Sequence, residues 1–337
     1  MRARIAIALL SFIPGMLCAH HSRSDYDTSE FVEMEGELAA IRWIKPHQVF
    51  EFLVAGPSGE IESWSLEGSG VYSLERSGIT EDLFPVGEQV RIAGWRSRTR
   101  QRGFFLTHML LPDGSELVLL PTANVGRRWS DDYSGGQWIS EPAEKQERSL
   151  FGVWSTESLD AFIQAGLGIE VQLTEEATAA TALATQTDPC VPPGMPSSMV
   201  NPLPVRLTDR GDHIEIHLEA FDVLRRVEMT ERVDAATIPA SKYGYSTGTW
   251  DGEVLEVKTT RVNWPYFDDA EAPLTEAVEI LERFSLDDDA ARLNYTMTVR
   301  DPASFVEPVT LGWQWIDIGE QFLPHDLCQA DSPRQSR

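Results

Sequence analysis

The nitrogen donors nearest the start of the chain are the first candidates for chemistry. A cut after Ala19 would put a free α-amine on His20, with a second imidazole on His21 directly behind it. Amine and imidazole both lose protons near neutral pH. Two such nitrogens on one residue chelate a single ion, and they suit Cu(II) best among the first-row divalent metals. A third ligand is then needed: His47, stiffened by Pro46 on the approach to a strand, comes first and His108 next. One reading is therefore a copper site of His20, His21 and His47; the other leaves the paired histidines solvated and His47 capping a strand through a backbone hydrogen bond. Further on, His213, Glu215, His217 and Glu219 share one face of an alternating strand and Ile214, Ile216 and Leu218 the other. Two imidazoles around a carboxylate suit zinc, but residues i and i+4 of a strand lie about 13 Å apart. A single ion would need help from a second strand, and plain solvation of a half-buried strand explains the same alternation.

Enzyme signatures are absent. There is no His-Glu-x-x-His helix, no Gly-x-Ser-x-Gly, no phosphate loop and no dinucleotide fingerprint, so those classes fall away. An oxidative copper enzyme would rest on His20 alone, and the work reads as binding, of a metal ion at the mature N-terminus; the alternatives are a carrier or sensor of a small apolar ligand in the second half of the chain, or a structural or partner-binding module. Lys and Arg number 28 against 53 Asp and Glu, a formal charge of -25. Such a surface repels a phosphate backbone, which disfavours nucleic acid.

The copper reading depends on export. Residues 1–19 carry Arg2 and Arg4, an apolar run and a small residue at the end, with no acidic side chain; that is a secretory signal peptide, and it predicts a periplasmic or secreted protein. Cys18 as a lipoprotein cysteine is the rival reading, though Leu17 stands where a small residue is needed. No other run approaches the ~20 apolar residues of a membrane-spanning helix. Cys190 and Cys328 are then an even pair in an oxidising compartment, and the simplest reading is one disulfide. A redox role is the alternative, without a Cys-x-x-Cys arrangement to support it.

The elements that must position these residues are mostly strands. Length alone suggests about two domains. Period-2 runs over 32–44, 49–54 and 61–66, a short helical stretch over 71–77, and further runs over 89–95 and 104–111 make the order three strands, a helix, two strands. With Gly36 able to bend the long first strand, this predicts a mainly β protein opening with an OB-like five-stranded barrel over 20–120. Residues 121–149 have no sustained period and read as a linker, crossing between domains with Trp129 and Trp138 partly packed. Over 150–330, one helix is expected at 174–184, a rigid Pro-rich passage follows, and then strands: 213–219, a hairpin around Asp251-Gly252, and 278–286, 292–299 and 309–316. So many strand edges predict an antiparallel, lipocalin-like β-barrel with one inserted helix. Arg226, Glu282 and Arg283 either ladder across strands or line the interior, Trp250, Trp264, Trp313 and Trp315 read as core, and residues 331–337 read as a disordered tail.

Particular residues carry resemblances. His20-His21-Ser22, Trp43, Pro46-His47, Gly68-Ser69-Gly70, Leu74, Arg76, Gly78, Gly87, Gly94 and Leu111-Pro112-Asp113-Gly114 make residues 20–120 resemble an exported bacterial domain of unknown function whose mature chain begins His-His-Ser. Lys45 and Arg23 depart from the Asn and Phe usual there. The resemblance implies export and leaves activity open. From Gly152-x-Trp154, Cys190-x-x-x-Gly194-Met195-Pro196, Arg225-Arg226, Gly248-x-Trp250-x-Gly252, Glu282-Arg283-Phe284, Asp301-Pro302 and Cys328, residues 150–330 resemble a second uncharacterised bacterial domain, and Gly-x-Trp is similar to the opening of lipocalins.

Overall fold

The computed structural model describes residues 26–44, 47–56, 58–122, 125–143, 149–166, 171–181, 191–230, 233–268, 272–288, 290–322 and 334–335. In the first half, apolar residues at every second position point to one side. Phe50 and Phe52 on β2 (His47–Ala55), Trp64 and Leu66 on β3 (Ile61–Gly70), Val90 and Ile92 on β4 (Gln89–Arg96), and Phe104 and Leu106 on β5 (Gly103–Leu110) are all buried. Together with β1 (Val32–Arg42) they close a five-stranded barrel in the order β1-β2-β3-β5-β4, the OB topology. Helix α1 (Val71–Arg76) joins β3 to β4 and buries Leu74 in the same core. Five strands in a ring cannot alternate direction all the way round, so one neighbouring pair must be parallel. That pair is β3 with β5. β1 serves two partners, β4 through its first half and β2 through its second, and Gly36 sits near the change. A Cβ at Gly36 would lie 2.2 Å from the Leu53 carbonyl oxygen, so only glycine lets the strands approach.

Beyond Glu37, β1 has no β4 partner, which leaves an open edge. Arg334–Gln335, within the tail expected to be disordered, pair there antiparallel with Ala40 and Ile41.

The second half obeys the same parity rule with nine strands: β8 (Gly152–Ser155), β9 (Val205–Asp209), β10 (His213–Leu218), β11 (Val223–Glu228), β12 (Tyr245–Asp251), β13 (Val254–Thr260), β14 (Glu279–Leu286), β15 (Arg292–Arg300) and β16 (Val309–Asp317). They close a barrel. The antiparallel expectation holds for every pair except β11 with β12, which are parallel because the ring is odd. Residues 229–244 provide the long crossover such a pair requires. A lipocalin barrel has eight strands, so the likeness is one of architecture. The Asp251-Gly252 hairpin forms as expected, with Gly252 at φ +60. The expected helix is α3 (Glu175–Thr181), and the Thr174 hydroxyl accepts the Ala177 N–H at its start. A second helix, α2 (Leu159–Gly166), was not anticipated; its start is marked by Ser158, whose hydroxyl accepts the Ala161 N–H. α2 lies against β16, with Phe162 edge-on to Trp313.

The segment read as a linker is bound to both barrels. Strand β6 (Glu116–Val118) extends the sheet from β5, and β7 (Tyr133–Gly135) pairs with β6. The carboxylate of Glu116, fully buried, accepts the N–H groups of Arg128, Trp129 and Ser130 at 2.7, 2.7 and 2.9 Å, so three backbone donors in a row wrap one anion. From Ile139 the chain already pairs with the second barrel, at Ser158 and Glu157. The crossing is therefore short, and Trp138 fills it, packed with Tyr72 of α1 and with Leu203 and Ala220 of the second domain.

An ion pair clasps the two barrels at that point. Arg76 lies against the rings of Tyr72 and Trp138, 5.5 and 5.4 Å from their centres, and its Nη2 donates to the buried Glu219 at 2.9 Å. Burial draws the Arg76 pKa down to about 10, which leaves it cationic at neutral pH. Arg76→Ala leaves the Glu219 carboxylate buried without its guanidinium, and the expected loss is about 3 kcal/mol, the low end for breaking a buried pair. Calorimetry is expected to show the two barrels melting separately in this variant; an unchanged single transition would mean that the clasp does not couple them.

Candidate functional site

His47 opens β2, on the solvent side of the first barrel, exposed. Its Nδ1 lies 3.0 Å from the carbonyl oxygen of Gly68 on β3. A carbonyl only accepts, so Nδ1 carries the proton and in the neutral ring the Nε2 lone pair is the available one. This is the strand cap foreseen as the bland role of His47, and it is also how backbone carbonyls orient metal-binding histidines. At Gly68 a Cβ would come within 2.6 Å of the Gln48 side-chain nitrogen, so glycine leaves room there for the buried Gln48.

The chain arrives on the same wall. Tyr26 bridges to Ser97, the Asp27 N–H donates to the Arg96 carbonyl, and the Tyr26 hydroxyl donates to the Glu67 carboxylate. Glu67 faces Val49 across the β2 to β3 pair, two residues from His47. His20 and His21 lie outside the described residues, as do Cys190 and Cys328.

The other histidines have different uses. His108 is buried, with Nε2 2.9 Å from the Gly126 carbonyl and Nδ1 2.9 Å from the Thr107 hydroxyl. Both ring nitrogens are engaged, which removes it as a third ligand. Burial holds its pKa below the usual histidine value, so the neutral ring pins residue 126 to the barrel. The alternation holds along β10, with Ile214, Ile216 and Leu218 inward and His213, Glu215 and His217 outward, but Glu219, expected on the outer face, lies just past the strand end, where the chain turns it inward to the Arg76 guanidinium and buries it completely. His213 pairs with Asp212 and His217 with Asp222, each at 2.6 Å. Among the described residues no three His, Cys, Asp or Glu side chains are grouped to hold a metal.

Inside the second barrel lies a charged cluster that sequence reading found only in part. Arg226 and Arg283 point outward, Arg226 pairing with Glu228 along its own strand and Arg283 laddering across to Glu256, whereas Glu282 points inward and receives Arg225 through two hydrogen bonds, at 2.9 and 2.6 Å. The Tyr295 hydroxyl adds a third at 2.8 Å, and Thr259 Oγ1 lies 3.3 Å from Arg225 Nη2. Burial alone would lower the Arg225 pKa; the Glu282 charge and hydrogen bonds outweigh it, and the net direction is upward. Burial and the same carboxylate push the Tyr295 phenol far up, so it stays a donor. Arg225 had a signal: it shares period 2 with Val223 and Val227, both buried. Trp313 and Trp315 are core, Trp264 packs partly buried against it, and Trp250 is exposed. Leu255, Ile280, Phe284, Leu293, Met297 and Val299 are wholly inaccessible, so this part of the barrel is filled by its own side chains.

An OB barrel with an anchored surface histidine, followed by a closed nine-stranded barrel, defines a two-barrel β protein. Residues 9–105 match a family of unknown function, DUF6152. The resemblance of the first half to a domain of unknown function is thereby borne out over the matched residues. No curated protein matches the chain. No helix among the described residues is long and apolar enough to cross a membrane.

Proposed function

We propose that the chain is an exported binding protein that takes Cu(II) at its mature N-terminus, with the His20 amine and imidazole as chelate and His47 as the ligand from the barrel. The observation that carries this reading is the Nδ1 contact of His47 with the Gly68 carbonyl, which leaves Nε2 to bind metal in a fixed orientation. The anchored Tyr26 supports it. Five residues separate His20 from Tyr26, and the six steps between them can span at most about 20 Å; Tyr26 itself is held at Glu67, opposite Val49 and two residues from His47. The test is isothermal titration of Cu(II) into the mature chain beginning at His20. One residue added before His20, or His47→Ala, is expected to weaken binding at least about tenfold, a loss of about 1.4 kcal/mol, while His213→Ala leaves it unchanged. Equal affinities throughout would reduce the histidines to adventitious ligands, and full affinity without His47 would move the third ligand to His21.

Export also carries the pairing of Cys190 with Cys328, because an oxidising compartment stabilises disulfides. The unfolded, unreduced mature chain is expected to contain no free thiol; two free thiols in that titration would sink the pairing.

A further inference from the structure

A protein of charge -25 gathers arginines at one place on its first barrel. Arg96 at the end of β4 and Arg98, Arg100 and Arg102 in the turn that follows stand at alternate positions, and Arg42 ends β1 nearby. Arg98 faces Asp27, and Arg96 lies over the Trp64 ring, 5.1 Å from its centre. The other three, Arg42, Arg100 and Arg102, line an open groove of about 540 Å³ across β1, β2 and β3, together with Glu51, Ser63 and Ser65.

The donors in this groove are only partly used. Arg102 spends one contact on Glu62, at 3.2 Å. Arg100 reaches Tyr26 and Glu67 through Nη2, while its Nε is buried without a partner. A guanidinium has five N–H donors, and Arg42 pairs with no carboxylate among the described residues. On the acceptor side, Glu51 takes one hydrogen bond from Ser63, at 3.1 Å, and lines the groove with Ser63 and Ser65; a carboxylate accepts further hydrogen bonds.

This mixture selects a ligand class. A simple polyanion would meet the Glu51 carboxylate among the arginines. A nucleic-acid strand needs exposed aromatic faces to stack on, and the aromatic residues lining the groove, Phe50 and Trp64, are buried. A molecule bearing both carboxylate and hydroxyl groups matches both sets: guanidinium forks pair with carboxylates, and a carboxylate accepts from hydroxyls. We propose that the groove binds an acidic saccharide, its carboxylates held by Arg42, Arg100 and Arg102 and its hydroxyls by Glu51, Ser63 and Ser65. The inference uses none of the copper ligands and stands independently of that reading.

Trigalacturonate titrated into the full chain is the test, with maltotriose and tripolyphosphate in parallel. Trigalacturonate is expected to bind with a Kd below about 1 mM, to weaken as salt screens the arginines, and to exceed both other probes. Arg42→Ala and Arg102→Ala, both at exposed side chains and checked for unchanged melting temperature, are expected to weaken it at least about tenfold. Glu51→Gln is expected to weaken it less, and Arg283→Ala, on the far barrel, not at all. Three results would each overturn the proposal: no trigalacturonate binding, maltotriose binding equally well, or tripolyphosphate binding more tightly.

Discussion

Glu282→Ala is expected to destabilise the second barrel by about 3–5 kcal/mol, the cost of leaving a buried charge without its partner. Arg225 would keep its guanidinium inside the barrel, 2% exposed, with the Thr259 hydroxyl as its remaining hydrogen-bond partner among the described residues. The Tyr295 hydroxyl would lose its acceptor as well. Replacing both charges, as Arg225→Met with Glu282→Leu, is expected to return stability to the parent value or above it, since desolvating two ions offsets much of their attraction. Urea denaturation followed by Trp fluorescence, with Trp313 and Trp315 ringed around Tyr295, reads both variants. If the single variant lost less than about 1 kcal/mol, or the double lost as much as the single, the buried pair would not be organised as described.

Glu116→Ala should strike the first barrel comparably. Hydrogen bonds to a charged acceptor are each worth about 1.5–3 kcal/mol. Three of them converge on this fully buried carboxylate, so a loss of about 3 kcal/mol or more is expected after the freed donors find water. Glu116→Gln keeps one oxygen acceptor and should fall between the parent and the alanine variant. Amide hydrogen exchange separates this from a general loss of stability: the N–H groups of Arg128, Trp129 and Ser130 should lose protection well before those of β2 and β3. Unchanged protection of the three amides in Glu116→Ala would refute the anion wrap.

The local elements of this protein were legible from its residues. Alternation in 278–286, 292–299 and 309–316 located β14, β15 and β16 to within a residue at either end, because side-chain direction in a strand depends only on that strand's own backbone. The order of three strands, helix and two strands likewise led to the OB barrel. Short polar motifs were legible only where their use is local. Thr174 announced α3, whereas the equivalent cap at Ser158 was masked by the Gly-x-Trp strand just before it.

What the sequence by itself determined is therefore which residues become strand or helix and which face of each strand is apolar. Which strands meet was decided by ring closure. The parallel pairs of β3 with β5 and β11 with β12 follow from odd strand numbers, and no local pattern encodes a neighbour. Charge partners were decided there too. Glu282 meets Arg225 and leaves Arg226 to the outer face, although the two arginines are adjacent in the chain, because a step of one residue turns a strand side chain to the other side of the sheet. Arg76 meets Glu219 across 143 positions, and Arg42, Arg100 and Glu51 share a groove only because β1, β2 and the β4 to β5 turn fold against one wall. Such contacts depend on strand register summed around a closed barrel, which exists only once the tertiary structure has formed.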